Sequence, residues 1–300
     1  MEVKQRAVLI VNTKSRRGRQ WYTSVVETLS KCSNLEILEA HALKDPAEVV
    51  RRVKAAVDNE IPLIIVGGGD GTLSSASNFI MGSKSILGVL PLGTGNQFAR
   101  DLGIVADVET ACSVISEGKQ VDVDISFVGD SCFLNVATVG LTTLIANEMT
   151  NEPKRLFGRF AYAFALAKAL CKVRPFNVTL ETAEGIHTFD TMQVVIGNGR
   201  YHVGSCPLSP DASITDGKQV VYALMGTSRW ELLRYASRLP FGKQGDLDTV
   251  MSISVSGGKL KASPIQKVTV DGEAKLKTPF TFGIHPGGLR VMVPKDFQGK

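Results

Sequence analysis

Two glycine-rich turns carry the residue types and spacing best suited to chemistry: Gly68-Gly69-Asp70-Gly71-Thr72 and Pro91-Leu92-Gly93-Thr94-Gly95-Asn96, the second followed by Gln97-Phe98-Ala99-Arg100. Phosphates are held by converging backbone N–H groups, and only glycine lets the backbone come that close. Each turn follows an apolar run that reads as a buried strand, and the first opens a helix whose N-terminus adds partial positive charge. In open α/β sheets the ligand lies beyond the carboxyl ends of the strands, where both loops are expected to meet. Neither turn is a P-loop, since no GxxxxGKS or GxxxxGKT occurs, and GxGxxG is absent too. A third turn, Asp271-Gly272-Glu273, carries two carboxylates and lies between Val268–Val270 and Ala274–Leu276, the local pattern of a tight hairpin.

The elements that must position these turns follow from periodicity. In the first third, apolar runs at Ala7–Val11, Leu35–Ala40, Leu63–Val66 and Ile86–Leu90 read as strands. Between them Trp21–Ser30, Pro46–Asn59 and Thr72–Ile80 read as helices, with Asp45 as N-cap and Pro46 at the first position of the second. This βαβα rhythm predicts an α/β domain with a doubly wound parallel sheet. From about Gln120 short strands dominate: Phe133–Ala137, Asn177–Glu181, Gln193–Ile196, Gln219–Leu224, Ser252–Val255, Lys267–Val270 and Phe280–Ile284. Turn signals at Asp216-Gly217, Gly257-Gly258 and Asp271-Gly272 separate them, which predicts a mostly antiparallel, β-sandwich-like second domain. One apolar helical stretch, Leu156–Lys172, interrupts it; it either packs between elements or lines a lipid cleft or membrane.

Composition narrows the partners. A hydrophobic share of 44% and a charged share of 21% are those of a folded chain, and the net charge of +5 suits anionic partners such as ATP or an acidic membrane surface. No patch interleaves aromatics with Lys and Arg, so nucleic acid is not expected. The cysteines, Cys32, Cys112, Cys132, Cys171 and Cys206, form no CxxC pair; neither a disulfide framework nor a zinc site is indicated, and a cytoplasmic setting fits. The apolar run at the start is too short for a signal peptide, and no window reaches about 18 consecutive apolar residues, so any membrane contact is expected to be peripheral.

The GGDGT segment at Gly68–Thr72 and PLGTGNQFAR at Pro91–Arg100 resemble the two nucleotide-loop motifs of the diacylglycerol kinase catalytic superfamily, which includes the sphingosine and ceramide kinases. GGDGT alone is shared with NAD kinases; GTGN followed by Ala and Arg points to the lipid branch. The resemblance runs on through Val11-Asn12, Asp124, Ser209-Pro210-Asp211-Ala212 to Asp216-Gly217, and Asp271-Gly272-Glu273, and so covers nearly the whole chain.

It implies an ATP-dependent kinase that phosphorylates a lipid hydroxyl, that of diacylglycerol or a related lipid. Asn12, Thr13, Lys14, Gly68, Gly69, Asp70, Gly71, Thr72, Leu73 and Ser74 would approach ATP, as would Gly93, Thr94, Gly95, Asn96 and Arg100; Arg16, Arg17 and Arg19 could add phosphate contacts. Asp70 would act in a magnesium network, and a structural Mg²⁺ would sit at Ser213, Asp216 and Lys218, whose spacing lets one carboxylate and two backbone carbonyls reach one hard cation. Asp271 or Glu273 would be the general base, the choice remaining open, and Asp124 would help hold the network. Domains are expected at 1–124, with about 284–300 returning to it, and at 125–283, with ATP and acceptor meeting between them; a homodimer is possible.

This chain departs from the pattern at Gln97, where a carboxylate often stands, and at Ala40 and His41, where a Thr often follows the second strand. Both changes point towards an altered nucleotide preference, lower activity or another acceptor; His41 itself reads as a packing or solvent-facing residue. The rival readings are an NAD-kinase-like enzyme, which would lack GTGNQFAR, and a catalytically silent nucleotide- or lipid-binding regulator.

Overall fold

The computed structural model describes residues 4–151, 160–203, 206–207, 212–238 and 247–299. The chain divides into two compact units, the first formed by Met1–Ile125, Ser213–Gly217 and His285–Lys300, the second by Ser126–Ala212 and Lys218–Ile284.

In the first unit, β1 (Gln5–Asn12), β2 (Leu35–Leu43), β3 (Leu63–Gly68) and β4 (Ile86–Pro91) pair in parallel in the order β4-β3-β1-β2. Residues 7–12 of β1 and all of β3 and β4 are buried, which explains their unbroken apolar runs. The connections are α1 (Gly18–Ser30), α2 (Pro46–Asp58) and α3 (Asp70–Ile80), with α4 (Gln97–Asp101) and α5 (Val108–Glu117) after β4. Asp45 caps α2 as expected, accepting from Ala47 N at 3.0 Å. From β1 the chain steps outward to β2, then returns past β1 to β3 and on to β4. Right-handed crossovers therefore put α1 on one face and α2 and α3 on the other; α2 packs on α3, and α1 on α5. The reversal makes a topological switch point between β1 and β3, whose carboxyl ends are Asn12 and Gly68. β5 (Lys119–Val128) then leaves the unit.

In the second unit come β6 (Ser131–Phe133), β7 (Val136–Gly140), α6 (Leu141–Asn151), α7 (Phe160–Lys172), β8 (Phe176–Thr182), β9 (Gly185–Gly197), β10 (Tyr201–Val203), β11 (Cys206–Pro207), β12 (Gln219–Met225), α8 (Arg229–Arg238), β13 (Val250–Val255), β14 (Gly257–Ser263), β15 (Lys267–Val270) and β16 (Glu273–Lys277). The first half of β9 pairs antiparallel with β8; its second half lies between β7 and β12. Alternate residues of these strands feed two cores, as a pleat requires. Ala137, Val139, Val194, Ile196, Val221 and Ala223 pack against other strands, giving the sandwich-like half. Val136, Val195, Val220, Tyr222 and Leu224 face the opposite way, onto Ile145 of α6, Ala165 and Ala169 of α7, and Leu232 and Tyr235 of α8.

β17 (Phe280–Val293) runs on beyond the expected Ile284, and Val291 pairs in parallel with Leu87 of β4. Two expectations are corrected. Phe133–Ala137 is not one strand, because Leu134 and Asn135 break it into β6 and β7. Gly257-Gly258 is not a turn but the start of β14: a Cβ at Gly258 would lie 2.4 Å from Glu181 O, so glycine here permits close strand approach. The predicted helix from Leu156 is seen over 160–172; residues 156–159, like Ser209-Pro210-Asp211, lie outside the described residues.

Candidate active site

At the switch point one side chain ties the end of β1 to the first turn of α3. Asn12 is buried, its Nδ2 donates to Thr72 Oγ1 at 2.9 Å, and its Oδ1 accepts from Lys14 N at 3.0 Å. Thr13 turns away, its hydroxyl and amide both bonding Leu43 O at 2.9 and 2.7 Å, so it anchors the loop to β2. Arg17 is likewise committed, donating to Ala106 O at 3.0 Å and stacking over Trp21 at 4.9 Å, whereas Lys14, Arg16 and Arg19 are exposed. Gly18 went unnoticed in the sequence: a Cβ there would lie 2.2 Å from Asn12 O, so only glycine lets α1 start against the end of β1.

The two glycine loops touch through their backbones. A Cβ on Gly93 would stand 2.5 Å from Gly69 Cα and 2.9 Å from Asn96 Oδ1. Asn96 adopts a left-handed conformation and spends its amide on its own loop, accepting from Gly93 N at 2.8 Å and donating to Pro91 O and Gly93 O at 3.2 Å. It shapes the loop. Asp70 links the loops: its carboxylate accepts from Phe98 N at 3.2 Å, capping α4 from another element, and would meet a Cβ on Gly95 at 2.8 Å. Burial pushes the Asp70 carboxyl above the ordinary aspartate range, against the lowering pull of the Phe98, Gln97 and Asn96 amides.

Other expected nucleotide residues divide by position. Leu73 is fully buried and belongs to the core, its amide bonded to Gly69 O at 3.1 Å; the structure gives it no ligand-facing side chain. Ser74 is also buried. Gly71, Thr94 and Arg100 are exposed, and nothing lies within 4 Å of a Cβ built on Gly71. Asp caps α2 and α5, whereas Gly69 gives α3 no N-cap side chain and the acid of its first turn, Asp70, is drawn to the amides of the second loop.

Asp124 is buried and braces three stretches of the first unit. Its Oδ2 accepts from Gly217 N at 2.7 Å, its Oδ1 from Gly287 N at 2.8 Å, and its own amide donates to Ile214 O at 2.7 Å. Ser213 Oγ is engaged by Gly299 O and by Thr215 N at 3.2 Å, so Ser213 could serve an ion only through its carbonyl, as Lys218 would; Asp216 is exposed. No group of three His, Cys, Asp or Glu side chains poised for a metal occurs among the described residues. A site made of one carboxylate and two carbonyls would form no such group.

In the second unit Asp271 opens a hairpin turn with positive φ at Asp271 and Gly272. Its carboxylate accepts from three successive amides, Leu134 N at 3.0 Å, Asn135 N at 3.1 Å and Val136 N at 3.0 Å. Glu273 is exposed at the start of β16 and pairs with Lys275 at 2.6 Å. Asn135 is buried, its Oδ1 has no hydrogen-bond partner among the described residues, and the sequence did not signal it. His41 pairs with Glu39 at 2.7 Å on the outer strand β2.

The diacylglycerol kinase catalytic domain family matches residues 6–128, and the YegS C-terminal NAD kinase beta sandwich-like domain matches residues 135–293. The chain belongs to the diacylglycerol kinase and YegS-like family of lipid kinases. It is 30% identical over 256 residues, 84% of each chain, to a Klebsiella pneumoniae protein named "Probable lipid kinase YegS-like". To the diacylglycerol kinase of Staphylococcus epidermidis it is 26% identical over 298 residues, 98% of this chain and 94% of that one. A diacylglycerol kinase crystal structure from Bacillus anthracis shares its fold, with TM-score 0.76 and 23% identity over 96% of this chain and 97% of that one.

Proposed function

We propose that this protein transfers the γ-phosphate of ATP to the hydroxyl of a lipid, with diacylglycerol as the acceptor. The observation that carries the reading is the glycine cradle at the switch point, with the α3 N-terminus lacking a side-chain cap and open space at Gly71. Such a cradle suits the phosphates of a nucleotide, and the acceptor class follows from what the related proteins are named for. Asn12, Thr72 and the 93–97 loop would hold the nucleotide in register. A structural Mg²⁺ would be held by the carbonyls of Ser213 and Lys218 with the Asp216 carboxylate, while Asp70 would act in the separate Mg²⁺ network that supplies positive charge to the phosphates.

Glu273 is the better candidate for the base. A carboxylate that already accepts three amides, as Asp271 does, is held as an acceptor and oriented within the hairpin. Glu273, two residues on, has only a surface lysine as its described partner. Its carboxylate would take the acceptor's proton as the acceptor oxygen bonds to the γ-phosphorus, the bridging P–O bond breaks and ADP leaves.

The test is transfer from labelled ATP and Mg²⁺ to diacylglycerol, monoacylglycerol, sphingosine and ceramide in mixed micelles, with NAD as control. Labelled phosphatidate is the expected product. Label in NADP, or ATP binding with no labelled product, would overturn the reading.

A further inference from the structure

The outward face of α8 is built the wrong way round for a helix that meets only water. Leu232 and Tyr235 are buried against the helical core of the second unit, as an amphipathic helix requires. Yet the opposite side presents Trp230, 70% exposed, and Leu233, 47% exposed, one turn apart and flanked by Arg234 and Arg238, with Arg229 at the helix start. The helix's one acid, Glu231, does not neutralise this side: it bends back to Gly226, where a Cβ would sit 2.7 Å from its Oε2. The neighbouring α7 packs against α8 and repeats the pattern, with Phe164 56% exposed and Lys168 Nζ lying 5.9 Å from its ring centroid. Here too the acid is taken up, since Glu148 is paired with Lys168 at 2.6 Å and Lys172 at 2.5 Å.

We propose that the outward faces of α7 and α8, centred on Trp230, Leu233 and Phe164 and rimmed by Arg229, Arg234 and Arg238, form a docking surface for an anionic lipid bilayer. Indole, phenyl and leucyl groups beside arginines match the layer between acyl chains and headgroups: rings and alkyl groups enter while guanidinium groups stay with lipid phosphates. The charge selects this occupant over a second copy of the chain, because two such cationic faces repel, whereas the cytoplasmic leaflet attracts them. Among the described residues no helix is long and apolar enough to cross a membrane, so the contact is interfacial. The proposal deepens the lipid-kinase reading and rests on it for its purpose, but vesicle binding is measured independently of phosphate transfer.

The experiment is cosedimentation of the full chain with phosphatidylcholine vesicles with and without phosphatidylglycerol, comparing wild type with the double variant Trp230→Ala, Leu233→Ala and with Arg234→Glu, Arg238→Glu. Binding to the anionic vesicles is expected to weaken about tenfold or more in each variant. Phosphorylation of dispersed, short-chain dioctanoylglycerol is expected to stay at the wild-type rate, which also shows that the variants are folded. Brominated lipid should quench Trp230 fluorescence, and Trp230→Phe should abolish that quenching, leaving Trp21 unaffected. Equal vesicle binding by wild type and variants, or an unquenched Trp230, would overturn the proposal. So would a lipid-independent dimer that the Trp230 variant dissociates. Vesicle binding without any transfer to dioctanoylglycerol would uphold the docking surface and sink the kinase reading instead.

Discussion

Three acidic side chains sit in three different electrostatic settings, and each setting predicts a different response to neutralisation. Asp271→Asn swaps an acceptor of three amides for a group that brings its own N–H donors. It should lower stability by about 1–3 kcal/mol in chemical denaturation, as well as lowering turnover. Glu273→Gln changes an exposed side chain, so stability should move by less than about 0.5 kcal/mol. Its transfer rate should nevertheless fall by roughly 10²–10⁴-fold. Equal stability losses in the two variants, or full activity in the second, would reject Glu273 as the base. Asp70 gives a pH signature. Its folded-state pKa lies above the ordinary 3.8, so the folded state holds the proton more tightly than the unfolded chain does. Stability from this group therefore falls as pH climbs from the unfolded value through the raised one, and is level above it. The stability of Asp70→Asn relative to wild type should rise through that same window and then flatten; melting curves across acidic pH would show the opposite slope if the carboxylate were instead stabilised by its amides.

At the scale of loops and strands, the glycine contacts separate folding from binding. Gly93→Ala puts a methyl group into the Gly69 backbone and should force the two loops apart, costing about 1–3 kcal/mol and weakening ATP binding. Gly71→Ala meets no protein atom and suits a helix, so stability should hold or rise by up to about 1 kcal/mol. ATP affinity, read by calorimetry, should still drop if phosphate occupies that space; unchanged affinity would remove Gly71 from the nucleotide site. The first unit was largely legible because three of its strands, β1, β3 and β4, are buried runs and its loops need glycine at fixed places, as at Gly68, Gly93 and Gly95. What the sequence hid were contacts made at long range. The break between β6 and β7 exists because the amides of Leu134, Asn135 and Val136 turn to a carboxylate at Asp271, and no local pattern announces that. Gly257-Gly258 misled for the same reason, since close approach to another strand and a chain reversal both call for glycine. Leu73 carried the expected motif position but follows helical periodicity into the core.

Over the whole molecule, the matched catalytic-domain region and the physical unit do not coincide. The family match ends at residue 128, whereas the first unit also needs 213–217 and 285–300. Leu289, Val291 and Val293 are fully buried, and Asp124 has its carboxylate bonds to Gly217 and Gly287. A fragment of residues 1–128 should therefore lack a cooperative thermal transition and bind a hydrophobic dye, while the full chain melts cooperatively. A fragment that melts sharply on its own would show these late segments to be dispensable. Val291→Asp should have a similar effect in the full chain, because it places a charge at a buried position beside β4.

The Asp124 brace also sets a clock. Gly287, which supplies one of its two amides, follows it by 163 residues. At ordinary translation speeds the interval between making the two is roughly 8–30 s. For that time every nascent chain carries a carboxylate destined for burial and β4 without its β17 neighbour, so completion of the first unit is paced by the ribosome rather than by its own folding rate. Chaperone capture during synthesis should concentrate in that interval, and synonymous codon changes between the two residues should alter the yield of native protein without altering a single contact in it.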